Sequence, residues 1–342
     1  LTSLILQGSW FAKGGLYEAQ VSRVETLTEL AQLEDLKGLC FIVLSYDLSA
    51  STLNLPIKTT LYPPIICCHI SHLKPIDRFD SPFRLTYLGS SITDTDYMQK
   101  VETVRGLISR GTIYQVNLTN KFDFAIDGDL RSLAWAFFQR QPVPFAFCLI
   151  LDDLFILSGS MELFLSKRGR VLKSMPIKGT AREAEILEKS KKDRAENLMI
   201  TDMMRNDIGR VALTGSVSTT ELFKITAYKT LYQMHSTVEG LTDLILGRII
   251  KETFPPASVT GAPKVKAVEV IDQLEPHPRG YYCGCAGLVE PSGDFTLSVL
   301  IRTAYGQQDH LSYYAGCGIV WDSEPDNELK ELYLKVKAFY EL

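Results

Sequence analysis

Between residues 175 and 182 the sequence, Met-Pro-Ile-Lys-Gly-Thr-Ala-Arg, leaves the backbone little choice. Pro176 presets its own φ, and Gly179 relaxes the turn that follows. Lys178 is therefore held from both sides, and the apolar Met175 and Ile177 precede it. Burial beside apolar neighbours disfavours a charged ammonium, which makes such a lysine a candidate nucleophile. On spacing alone, a solvated lysine at a strand end is the alternative.

The rest of the chain reads as strands alternating with helices, with no internal repeat or low-complexity tract. Gly38 to Leu48 is expected to be a buried strand, and prolines at 56, 63, 64, 75 and 82 cut the surrounding segment into short extended pieces. Thr93-Asp94 can cap a helix to about Arg110, where Tyr97, Val101, Val104 and Ile108 recur at helical spacing and Gly111 ends it. A strand follows over Ile113 to Phe124, then a helix over Leu130 to Arg140. Two apolar strands come next, Phe145 to Leu151 and Leu154 to Ser158, and a hairpin turns at Arg168-Gly169. Glu183 to Arg205 reads as one long helix. Thr260 is placed to cap another, running to about Leu274 with Pro263 in its first turn, and Asp326 to Tyr340 forms the last.

Two of these helices carry acids where a core stripe runs. Asp193, Glu196, Ile200 and Met203 fall on one face, and Glu328, Glu331 and Lys335 share a face of the last helix. A carboxylate at the edge of a core needs a partner, and carboxylates from two helices suit a hard divalent cation, with magnesium expected. The residue reading alone also allows exposed acids paired with Lys192 or Arg194. The free N–H groups of the helix turn after Thr260 favour an anion. Gly316 and Gly318 fit close backbone approach to a ligand, and Arg302 could hold a carboxylate bidentately.

Five ordered blocks carry a resemblance over roughly residues 90 to 342: Pro-Ile-Lys-Gly-Thr (176–180), Glu-Asn-Leu-Met-Ile-Thr-Asp-Met-Met-Arg-Asn-Asp (196–207), Val-Thr-Gly-Ala-Pro-Lys (259–264), Ala-Gly-Cys-Gly-Ile-Val (315–320) and Glu-Leu-Lys-Glu (328–331). The chain resembles the chorismate-utilising enzymes. In that family anthranilate synthases carry alanine before Gly-Thr, whereas aminodeoxychorismate synthase component I carries lysine, the residue found at 178. Hydrating relatives resemble one another in a basic lysine where this chain has Gln115, and an amide cannot serve as that base.

The resemblance implies an α+β fold, a two-lobed α/β sandwich with the active site in the cleft between sheets. Residues 1–89 would complete the second lobe and 90–342 would form the chorismate-binding catalytic region. It further implies that Lys178 is a covalent nucleophile and Glu162 the general acid. The apolar Met161, Leu163 and Phe164 beside Glu162 suit a protonated carboxyl. Magnesium would bind Glu196 and Glu331, with Glu328 accessory. Asp193, a shorter acid than the glutamate common there, ranks below them. Thr180, Tyr282, Arg302, Gly316 and Lys335, with Gly179, Thr260 and Gly318 beside them, would hold the substrate. At Leu231 to Val238 the usual histidine is replaced by Gln233, with His235 two positions on, which leaves open which of them serves.

The expected reaction converts chorismate and ammonia to 4-amino-4-deoxychorismate, on the way to 4-aminobenzoate and folate. Nothing in the sequence resembles a glutamine amidotransferase domain, so ammonia is expected from a separate subunit of that kind. An anthranilate synthase component I is the near alternative, and a non-catalytic binding protein on the same scaffold the far one. A chain of 342 residues, 46% hydrophobic and 22% charged, is long enough for a large core. A formal charge of −4 without a basic run argues against nucleic acid, and no segment has the length of a membrane span. The opening Leu-Thr-Ser-Leu-Ile-Leu has no basic flank of a signal peptide, so a cytoplasmic setting is expected. Seven scattered cysteines fit neither a disulfide framework nor the spacing of a four-ligand zinc site and read as reduced and buried.

Overall fold

A computed structural model describes residues 2–11, 13–140, 142–227 and 232–342; Leu1 and Leu231, cited above, lie outside the described residues. Its strands join into one hydrogen-bonded network in which each described pairing is antiparallel. Helices pack against that network, so the class is α+β. Two hydrophobic cores fill it. One gathers Phe41, Ile42, Ile66, Phe164, Leu165, Ile200 and Leu297, and the other Tyr97, Val104, Phe122, Phe124, Phe137, Leu332 and Phe339. Strand Gln115–Gly128 shows why its face is fixed: Phe122, Phe124 and Ile126 point inward while Lys121, Asp123 and Ala125 between them are partly exposed.

The first 89 residues are woven into this network. Thr2–Gly8 pairs with Phe145–Leu151, Leu39–Leu44 with Cys285–Val289, and Phe83–Ser90 with Gln115–Gly128. Neither core is closed without strands from both parts of the chain.

Local signals place several elements. Thr93 accepts a hydrogen bond from the Asp96 N–H and starts helix Asp94–Ser109. Gly169, at φ 57°, turns Leu163–Arg168 into Val171–Met175. Three expectations need correction. The strand expected over Gly38 to Leu48 stops at Leu44, because the Ser45 hydroxyl accepts from the Asp47 N–H and turns Tyr46–Leu48 into a 3-10 helix. The long helix expected over 183–205 is two helices, Ala184–Lys189 and Lys191–Gly209, because Ser190 is extended and its hydroxyl accepts from the Asp193 N–H. A cap inside an unbroken run of helix formers is invisible to periodicity. Nor does Thr260 cap the helix Lys264–Leu274, which starts after Pro263; the Thr260 hydroxyl donates to the carbonyls of Pro256 and Ala257 instead.

One buried ion pair fastens the wall of the central cleft. Arg279 donates to both carboxylate oxygens of Glu275, at 2.9 and 2.7 Å, and to the carbonyls of Val259 and Asn117, each at 2.7 Å. Glu275 also accepts from the Thr119 N–H. Both side chains are 1% exposed, so each charge depends on the other. Removing one partner from such a pair costs about 3–5 kcal/mol, because the survivor stays buried and uncompensated. Glu275→Met should therefore lose stability of that order in urea denaturation; a loss under about 1 kcal/mol would contradict the reading.

Candidate active site

Pro176 separates strand Val171–Met175 from Ile177–Ala181, and the second piece meets strand Tyr232–Leu241 with a register shift between Ile177 and Thr180. The irregularity takes Lys178 and Gly179 out of the ladder. Gly179 sits at φ 88°, and a Cβ there would lie 3.0 Å from that of Asp193. The proline and the glycine thus aim Lys178 by a bulge, its far side packed on helix Lys191–Gly209.

Lys178 opens into a cavity of about 500 Å³. Glu162, Gly179, Thr180, Glu196, Tyr282 and Arg302 line it, and so do Gly316, Gly318, Glu331 and Lys335. Among the described residues Lys178 makes no hydrogen bond and no ion pair within 4.0 Å. Gly318 faces it: a Cβ there would stand 3.8 Å from the Lys178 Nζ. Gly318 is also required by Gln115, whose amide nitrogen would be 2.4 Å from that Cβ, and Gly316 by the Thr119 methyl at 2.6 Å. These glycines make room for neighbouring side chains as well as for a ligand.

Glu162 is 6% exposed. Burial pushes its carboxyl from an ordinary 4.5 up to about 7, against the opposing effects of a Ser258 hydrogen bond and the Lys178 charge. A carboxyl that keeps its proton up to about pH 7 is a competent proton donor. Arg302 donates to the Lys335 carbonyl at 2.9 Å, and the Lys335 ammonium donates to the Gly316 carbonyl and pairs with Glu331, both at 2.7 Å. Tyr282 stacks on Tyr314, with ring centroids 5.3 Å apart.

The acids fall into two groups. Glu196, Glu331 and Asp193 face the cavity. Burial raises the Glu196 carboxyl, Lys178 and Lys192 oppose that rise, and Asp193 and Glu331 add to it. Burial also acts upward on Glu331, but Lys335, Lys192 and Lys178 outweigh it and hold it below the usual carboxylate value. Glu328 does not line the cavity: it is buried and accepts from the Ser323 hydroxyl at 2.7 Å, although its carboxylate lies within 4.8 Å of that of Glu331. Thr260 is likewise buried behind the wall. Gln233 lines the cavity with an unpartnered buried carbonyl oxygen, whereas His235 opens on a separate hollow and bonds Thr226. Of the two, Gln233 is the one in place to meet a ligand.

Sequence reasoning missed Asn117, Ser258 and Lys192 as lining residues. Lys192 had a signal, standing four residues before Glu196 on the same helix face. Ser258, in a short turn between two other elements, had none.

A family model described as chorismate binding enzyme matches residues 44–341. The chain belongs to that family. It is 40% identical over 273 residues to aminodeoxychorismate synthase component 1 of Salmonella typhimurium, covering 75% of this chain and 59% of that protein. It is 31% identical over 268 residues to anthranilate synthase component 1 of Saccharolobus solfataricus, covering 75% and 64%. The chain therefore spans about three fifths of the length of these curated relatives. Among solved structures, anthranilate synthase component I from Streptococcus pneumoniae superposes with a TM-score of 0.80 at 23% identity, covering 98% of this chain and 89% of that one. This last likeness fixes the fold of this chorismate-binding family member.

The buried carboxyl has a measurable signature. Because its folded pKa is raised, neutral Glu162 contributes stability that is complete below about pH 4.5 and lost as pH rises through about 7. Glu162→Gln removes that dependence. Relative to wild type it should gain about 3 kcal/mol between pH 4.5 and pH 8.5, read by urea denaturation at both. A difference independent of pH would show that the carboxyl is not desolvated.

Proposed function

We propose that this chain is the chorismate-handling component of an aminodeoxychorismate synthase, aminating chorismate to 4-amino-4-deoxychorismate for 4-aminobenzoate and folate synthesis. The observation that carries the reading is Lys178: an amine without a close partner among the described residues, in the same cavity as a carboxyl whose pKa burial raises to about 7. The 40% identity to a component 1 of that enzyme supports it.

In the proposed reaction the Lys178 nitrogen bonds to ring C2 as Glu162 gives its proton to the departing C4 hydroxyl, which leaves as water. Ammonia then bonds to C4, the double bond shifts back, the C2–N bond breaks to release the Lys178 amine, and the ammonium formed at C4 returns one proton to Glu162. Two easier displacements replace one hard one. Arg302 and Lys335 supply the positive charge for the substrate carboxylates, and the Gln233 carbonyl oxygen is free to accept a hydrogen bond.

Glu196 and Glu331, with Asp193 beside them, would hold a magnesium ion. The donor set fits: oxygen-only, facing a common space, with the Glu196 carboxylate destabilised by its acidic neighbours. Binding there would compete with the Lys335 contact to Glu331. When bound, the ion supplies a positive anchor for a substrate carboxylate and offsets the crowding of acids. Ammonia would reach the site from a separate glutamine amidotransferase subunit, a reading supported by the name component 1 of the Salmonella relative, and a cytoplasmic setting is part of the same proposal.

Incubation with chorismate, an ammonium salt and magnesium should yield 4-amino-4-deoxychorismate by mass and chromatography. Glu162→Gln should slow turnover by about 10²–10⁴-fold, and Lys178→Ala should abolish amination while leaving chorismate binding. Anthranilate as the product would overturn the assignment in favour of the tryptophan-pathway reaction.

A further inference from the structure

Well away from the lining of the catalytic cavity, three adjacent strands bring together two thiols, an imidazole and a carboxylate. Cys40 lies on strand Leu39–Leu44, Cys67 and His69 on Ile65–Pro75, and Glu25 on Gly15–Leu27. The pairing is what assembles them: Cys40 stands opposite His69, and Glu25 opposite Cys67. Cys67 and His69, two residues apart, share a face of their strand.

The geometry points to a zinc-class divalent metal site held by the Cys40 and Cys67 sulfurs and the His69 Nδ1, with Glu25 as the carboxylate behind the histidine. One ligand atom from each of Cys40, Cys67 and His69 falls within 4.8 Å of the others. The Cys40 Sγ is 3.4 Å from the His69 Nδ1. In a tetrahedral site with bonds of about 2.3 Å to sulfur and about 2.0 Å to nitrogen, sulfur and nitrogen stand roughly 3.5 Å apart. That edge of the polyhedron is already formed.

Around the ring, Glu25 Oε1 lies 2.8 Å from His69 Nε2, the Cys67 Sγ 3.9 Å from that same nitrogen, and the Cys40 Sγ 3.4 Å from Nδ1; a proton on Nε2 toward Glu25 leaves Nδ1 as the ligating nitrogen. A carboxylate behind a ligating histidine fixes the ring and raises its basicity. The charged groups facing the cluster are Glu25, His69 itself and Arg23, which pairs with Glu25. Cys40 and Cys67 share a hydrogen bond that lowers the Cys40 thiol and, with burial, raises that of Cys67, so one proton lies between the two sulfurs for a metal to displace. Both sulfurs are buried, whereas the imidazole and the carboxylate are 17% and 24% exposed, which leaves a route in from solvent. Two thiolates and an imidazole select a borderline-soft ion over magnesium. A fourth position falls to water.

Such an ion would pin three strands of one lobe and so act on stability rather than on turnover. The test uses the full chain, stripped with chelator, kept reduced, and titrated with Co²⁺. One equivalent should bind with thiolate-to-cobalt charge transfer in the near ultraviolet. Zn²⁺ should displace it and raise Tm by several degrees. Cys67→Ser and His69→Asn should each lose the band and the Zn²⁺ shift. If Cys67→Ser does not fold, as judged by circular dichroism, the part-exposed His69→Asn carries the comparison. A folded wild type without the band overturns the proposal. So does a band retained in His69→Asn, which would put the metal elsewhere, such as on Cys317 beside Glu328 and Glu331.

Discussion

A carboxyl group taken out of water beside an amine with no close partner is the arrangement on which the chemistry of this site depends. In water the acid would be ionised and would have no proton to give. Burial of Glu162 holds the proton to about pH 7, and the Lys178 charge acts against burial rather than with it. The carboxyl stays neutral because desolvation is the larger effect. The groups around the pair are arranged not to disturb that balance. Lys335 is occupied by Glu331 and the Gly316 carbonyl, and Arg302 is tethered to the Lys335 carbonyl.

The scaffold keeps this arrangement by fixing backbone rather than side chains. Lys178 is aimed by the bulge between Pro176 and Gly179, and the facing wall is built from glycines whose missing side chains are replaced by those of Gln115 and Thr119. Behind that wall the Arg279–Glu275 pair holds the carbonyls of Asn117 and Val259, so the strand and the turn that line the cleft share one anchor. Preorganisation of this kind spares a site from being ordered when a ligand arrives.

Much of this was legible in the sequence because the informative residues act locally. Thr93 caps its helix and Gly169 turns its hairpin by contacts within a few residues, and the octet around Lys178 names its own geometry. What escaped was either a local feature hidden in a favourable pattern or a meeting of distant residues. Ser190 breaks a helix that every neighbouring residue would continue, and the Thr260 hydroxyl turns backward to Pro256 instead of forward. The positions of Gln233 and His235 could not be separated by spacing, since both lie on one strand; the cavity takes only the first. Only Cys67 and His69 of the cluster have a readable spacing; Cys40 and Glu25 join them through strand pairing.

The central claim is that the Lys178 nitrogen bonds to the substrate ring. Mass spectrometry of the protein incubated with chorismate in the absence of ammonia, acid-quenched and digested, tests it most directly. The account predicts one adduct, heavier by chorismate less one water, on the peptide that holds Lys178, and its loss on adding an ammonium salt. An adduct on Lys192 or Lys335 instead, or turnover to the amino product by Lys178→Ala, would contradict it.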